Sequence, residues 1–199
     1  MYISQEAISE LEAKFGRPRQ ARLVFEMRAE EFNRLQRSMK ESRTHDVTVF
    51  IFRNDRVAVI RKPMYPPGVF RAPSGGIHPG EDFQAGTMRE AREETGLEIA
   101  LRRYMMRIYV TFMHKGEEVD WTTHVFTADA TSEDIQPVDT REIAEAFWVT
   151  LDELRDSSNA LRATGSTGLQ YRATLNELMM ELLGSNEFST PNAPRASPE

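Results

Sequence analysis

No stretch of this chain is more tightly constrained than residues 75–97, GGIHPGEDFQAGTMREAREETGL. Over residues 81–95 no proline interrupts, and Phe83, Ala85, Met88, Ala91 and Thr95 recur at offsets that suit one packed helical face. Glu81 and Asp82 stand where the first turn of a helix favours acidic groups. Gly96 stands where a helix C-terminus commonly takes a left-handed residue. The spacing therefore predicts a helix over residues 81–95. On it, Glu90, Glu93 and Glu94 fall at i, i+3 and i+4 and share one face. Unpaired, such like charges destabilise a helix by about 0.2–0.5 kcal/mol per pair. A hard divalent cation turns that penalty into binding, because it takes oxygen ligands. The plain alternative for an EAREE run is a solvated face neutralised by Arg89 and Arg92.

The series Gly75, Glu81, Arg89-Glu90, Glu93-Glu94 and Gly96-Leu97 resembles the Nudix box, G-x5-E-x7-R-E-U-x-E-E-x-G-U, where U is aliphatic. Every glycine and charged position matches, and Ala91 is smaller than the pattern prefers. This match favours the metal-site reading over the solvated face. A local departure precedes the box: many relatives carry Pro-Gly-Gly, and this chain has Pro73-Ser74-Gly75-Gly76.

At 199 residues the chain suits one core with appendages. Its 40% hydrophobic and 28% charged residues are ordinary globular usage. A net charge of −6 argues against attraction to DNA or to an anionic membrane, while leaving room for a local basic pocket. Cysteine is absent, which excludes disulfides, thiolate zinc sites and a cysteine nucleophile. No apolar run reaches the roughly 18 residues of a membrane span. The N-terminus lacks a signal-peptide core, so a cytoplasmic location is expected.

Residues 1–45 read as an accessory segment that docks on the main domain or on another subunit. It holds a helix capped by Ser4, a short strand over residues 21–27 and a second helix over 29–39. Residues 46–184 read as the main domain. Strands at 47–52 and 56–61 meet in a hairpin at Asn54-Asp55. A proline-rich loop leads to a short strand near residues 70–72 and then to the glycine loop and helix. Long strands at 101–113 and 119–128 join at Lys115-Gly116. A last strand at 147–150 precedes a short helix from Leu151, and an amphipathic helix follows Gly168. Residues 185–199, poor in apolar groups, read as a mobile tail. Strands interleaved with helices give an α/β class. The resemblance implies a Nudix-type α/β/α sandwich around a mixed sheet, with the N-terminal α/β extension added.

Family members hydrolyse a diphosphate linked to another moiety using Mg²⁺ or Mn²⁺. By position, the resemblance makes Glu90, Glu93 and Glu94 metal ligands, with the Gly75 carbonyl completing the shell. Glu81 and Arg89 tie loop to helix. The proton of the attacking water goes to Glu90 or to Glu142, the latter standing six residues before Trp148 as an extra acidic ligand does in MutT-like members; Glu145 is its nearest rival. Arg61, Lys62 and Arg71 flank the proline loop as phosphate contacts, against the alternative of solvated surface cations. Tyr65, Phe70, Trp121 and Phe147 are the base-stacking candidates, against the alternative of core packing. His78, His114 and His124 lack metal-ligand spacing. The expected substrate is a small nucleotide: a nucleotide sugar such as ADP-ribose, a noncanonical or oxidised nucleoside triphosphate, or a dinucleoside polyphosphate. By analogy with ADP-ribose-type members, the N-terminal extension points to a homodimer. The rival class is a non-catalytic Nudix-like module that senses or binds a nucleotide.

Overall fold

The computed structural model describes residues 3–39 and 43–185. The expected tail beyond Ser185 lies outside them. In chain order the elements are α1 (Gln5–Phe15), β1 (Arg19–Glu26), α2 (Ala29–Ser38), β2 (His45–Arg53), β3 (Arg56–Arg61) and β4 (Ser74–Gly75), followed by α3 (Phe83–Thr95), β5 (Ile99–His114), β6 (Glu117–Ala130), β7 (Glu145–Thr150), α4 (Leu151–Ala163) and α5 (Thr167–Gly184). The strands form one mixed seven-stranded sheet in the order β1-β5-β6-β2-β3-β7, with β4 paired to β2. The protein is thus of the α/β class, with helices on both faces of a mixed sheet.

Alternation along β2 makes the layers. Val47, Val49 and Ile51 point to a core closed by Ile8, Leu11 and Phe15 of α1 and by Phe83 and Ala91 of α3. Phe50 points to the opposite core, with Phe32 of α2, Leu154 of α4 and Leu175, Met179 and Leu182 of α5. This is the period-two consequence of a strand buried on both faces. Two-residue hairpins turn the chain at the expected places. Arg53 pairs with Arg56 around Asn54 (φ 54°). His114 pairs with Glu117 around Lys115 and Gly116, both at positive φ. The strand expected near residues 70–72 is a single bridge, Ile60 to Arg71.

The box helix starts two residues later than its sequence predicts. Asp82 is its N-cap, accepting the Ala85 N–H, so Glu81 lies outside the helix and is free to turn back. Thr150 and Glu153 form a capping box that starts α4. Ser166 caps α5, placing Gly168 inside the helix.

Residues 3–39 are woven into this body. β1 pairs parallel with β5 from Arg19↔Met106 to Glu26↔Met113. Glu31 of α2 accepts from Ser166 Oγ and from the backbone N–H of Thr167 and Gly168, at the start of α5. Burial works against its charge, but these donors prevail and hold the carboxyl below its ordinary value. Glu12 of α1 pairs with Arg107 of β5. Behind Arg107, Tyr104 Oη meets His124 Nδ1 at 2.5 Å, and His124 Nε2 meets His45 Nδ1 at 2.9 Å. Burial drives His124 well below its ordinary pKa, so this link is neutral. No described helix is long and apolar enough to cross a membrane.

Gly96 closes α3 at φ 75°, and a Cβ there would overlap the Gln136 carbonyl. Gly96→Ala is expected to cost at least about 2 kcal/mol, from left-handed strain of roughly 1–2 kcal/mol plus that collision. Urea denaturation midpoints of the two proteins measure it.

Candidate active site

Arg89, on the exposed side of α3, gathers the box. Its Nε and Nη2 grip the two oxygens of Glu81 at 2.8 and 2.9 Å. Nη2 also donates to the Gly76 carbonyl at 3.0 Å. Nη1 donates to Glu90 Oε1 at 3.0 Å and to Glu93 Oε2 at 3.1 Å. Glu81 in turn accepts the His78 N–H. One guanidinium therefore ties the loop, Glu81 and two of the three clustered glutamates together, in the bidentate geometry that suits it.

Glu94 faces the other way. Its Oε2 accepts the Ser74 N–H at 2.6 Å and its Oε1 accepts Arg71 Nη2 at 3.2 Å. Arg71 also donates to Tyr65 Oη, the Ala72 carbonyl and Ser74 Oγ. Both partners are buried, 4% and 5% exposed. Burial opposes the charge on Arg71, yet Glu94 and Tyr65 keep it firmly protonated. Arg71, expected on a phosphate, is buried as the partner of Glu94. Tyr65 supports Arg71 from the proline loop. The Ser74 that departs from the usual glycine earns its position through its hydroxyl, which accepts from Arg71.

Gly75 and Gly76 are glycines for reasons of space. A Cβ on Gly75 would overlap Glu90 Oε2, and one on Gly76 would overlap Arg43 Nη1. Glu90 is thus pressed against the loop, and burial raises its carboxyl above the ordinary range despite Arg89. Glu81 lies at the opposite extreme: its hydrogen bonds to Arg89 bring it down to about 2.

The loop from β6 to β7 closes over the end of this helix. Val138 and Asp139 N–H groups both donate to the Glu93 carbonyl at 3.0 Å, and Gln136 N–H to that of Thr95. Asp139 Oδ1 accepts the backbone N–H of Arg141 and Glu142. The Glu142 side chain is exposed and pairs with Lys62 Nζ at 2.8 Å. Arg61 pairs with Glu145 across β3 and β7, outside the Arg89 network. Phe70 and Phe147 pack edge to face at 5.4 Å. Trp121 is buried with Arg43 over its ring. Arg43 is the residue that sequence reasoning missed. Only its position before a strand facing the glycine pair could have signalled it.

A hard cation fits this donor set chemically, since Glu90 and Glu93 present carboxylate oxygens on one face beside a loop with no Cβ in the way. Among the described residues no three acidic or histidine side chains converge as a metal cluster. Arg89 Nη1 instead holds the oxygens of Glu90 and Glu93, and Arg71 draws Glu94 inward.

Opposite pH signatures follow. Glu81 has a folded pKa below the unfolded 4.5, so its contribution is present above that value and is lost as pH falls toward about 2. Glu90 has a raised folded pKa, so its charge costs stability at neutral pH and that cost disappears on acidification. Glu81→Gln is expected to lower Tm at pH 7 by an amount that shrinks toward pH 2. Glu90→Gln is expected to leave Tm unchanged or raise it at pH 7. Thermal melts across pH 2–8 report both.

A family model described as the NUDIX domain matches residues 42–166. A NAD-capped RNA hydrolase, NudC, of Pseudomonas aeruginosa is 33% identical over 106 residues, 53% of this chain and 36% of that protein. An RNA pyrophosphohydrolase of Erythrobacter litoralis is 31% identical over 102 residues, 44% of this chain and 62% of that protein. The matched part spans about a third of NudC and under two thirds of the second relative. An ADP-ribose pyrophosphatase structure from Streptococcus suis superposes with a TM-score of 0.47 at 16% identity, covering 71% of this chain and 92% of that one.

Proposed function

The chain belongs to the Nudix family, and on that premise we propose that it hydrolyses the diphosphate linkage of a nucleoside diphosphate derivative, with Mg²⁺ or Mn²⁺ held by Glu90 and Glu93. The observation that carries this reading is the Arg89 hub, which holds Glu90 and Glu93 against the Gly75 loop with their oxygens on one face. A divalent cation bound there would neutralise charge that builds on the diphosphate as its anhydride bond breaks. Arg89 would keep Glu81 and the Gly76 carbonyl in place through Nε and Nη2, and Glu90 and Glu93 would hold that cation. Glu94, pinned by Ser74 and Arg71, fixes the end of the helix relative to the loop.

Glu90 is the stronger candidate for accepting the proton of the attacking water. It stands on the same helix face as Glu93, pressed against the glycine loop. Glu142 is the second candidate, and its loop is anchored to the Glu93 carbonyl through Val138 and Asp139. Lys62 holds its carboxylate. Nucleotide sugars of the ADP-ribose type, noncanonical or oxidised nucleoside triphosphates and nucleotide-capped RNA ends all carry the linkage, and a relative named for the last of these supports that class.

The test is release of nucleoside monophosphate or phosphate from a panel of such compounds with Mg²⁺ or Mn²⁺. Wild type is expected to turn over at least one, to stop in EDTA and to resume on adding metal. Glu90→Gln and Glu93→Gln are each expected to lower kcat by roughly 100-fold or more, while remaining folded by circular dichroism. Glu142→Gln is expected to lower it less, about 10-fold, if Glu90 is the base. Metal binding without turnover across the panel would turn the assignment to a nucleotide-binding module.

A further inference from the structure

Four arginines lie around the glycine loop, and three of them are spoken for. Arg71 pairs with Glu94, Arg89 with Glu81, and Arg172 of α5 with Asp46. Arg43 forms no ion pair with an acidic side chain among the described residues, and its Nε is buried without a hydrogen-bond partner. Buried donors of this kind are rare in folded proteins and mark a place where a partner is missing.

Its position says what the partner is. The guanidinium lies on Gly76, and Glu90 Oε2 lies on Gly75 next to it. Arg43 and Glu90 thus approach neighbouring residues of the same glycine loop. The guanidinium also lies over the Trp121 ring, 5.6 Å from its centroid. Such a contact steadies the guanidinium without using any of its N–H groups. An arginine held in this way offers its planar donors to paired oxygens, the geometry that a phosphate supplies.

We infer that Arg43 is a phosphate-binding residue of the site: seated on Gly76 of the glycine loop and stacked over Trp121, it holds a phosphate of the diphosphate substrate. This rests on the hydrolase reading and adds to it a binding group that lies outside the box and upstream of β2. The competing role is purely structural, with Arg43 pinning the loop to Trp121.

The experiment is a titration with ADP in EDTA, so that no turnover intervenes, followed by Trp121 emission in a Trp148→Phe background. These are the two tryptophans of the chain, so the signal belongs to the ring under Arg43. The parent is expected to show a saturable change with ADP and none with adenosine. Arg43→Gln is expected to raise the Kd for ADP roughly 10- to 100-fold, the loss of a charged hydrogen-bonded contact. Arg43→Lys keeps the charge without the fork and is expected to fall between; it also covers the case in which Gln disturbs the loop, which thermal melts reveal. An ADP Kd unchanged within twofold in both variants, or a parent that does not bind ADP, overturns the inference. Binding through Arg43 with no hydrolysis anywhere in the panel would keep the inference and sink the hydrolase reading. Hydrolysis with Arg43-independent ADP binding would do the reverse.

Discussion

The Arg89 guanidinium is the contact on which the geometry of the site depends. It reaches Glu81 outside the helix, the Gly76 carbonyl in the loop, and Glu90 and Glu93 on its own helix. Three carboxylates meeting one cation would leave an excess of negative charge, and that excess is the condition a divalent cation relieves. The same contact explains why Glu81 must lie outside α3. Had the helix begun at Glu81, that carboxylate would have stood seven or eight residues up the same cylinder. With Asp82 as N-cap, it folds back onto the arginine instead.

A second charge pair, Arg71 with Glu94, works in the opposite sense. It is buried, with both Glu94 oxygens engaged, so its contribution is position. Removing one member would strand the other in the interior, which is costlier than the pair itself is stabilising. The two pairs divide the three glutamates into a pair beside the glycine loop and one that faces inward. The polar contacts of α1 and α2, Glu12 to Arg107 and Glu31 to the start of α5, fasten the N-terminal elements to both faces of the same sheet.

Much of the secondary structure was legible, because it depends on neighbours in sequence. The hairpins at Asn54-Asp55 and Lys115-Gly116, the Ser4 cap, the left-handed Gly96 and the box helix all rest on residues within a few positions of one another. What the sequence hid is what joins distant segments. The strand over residues 19–26 looked like part of an appendage, and its parallel pairing with β5 spans more than 80 positions. Arg71 looked like a free cation beside a proline loop, because nothing local shows Glu94 arriving from the far end of α3.

The sequence by itself determined the glycine and acid spacing from Gly75 to Leu97, and hence a helix carrying Glu90, Glu93 and Glu94 at neighbouring positions. Helical periodicity is enough for that, since it fixes which side chains are neighbours. Only the tertiary structure decided that Gly75 and Gly76 are needed for close approach and not for their backbone freedom. It also decided that Glu90 is pressed into the loop while Glu94 is turned inward, and that Arg43 reaches Gly76 over the Trp121 ring. Those outcomes depend on how β2, β4 and α3 are brought together by the sheet, and distances between elements far apart in the chain are set by packing.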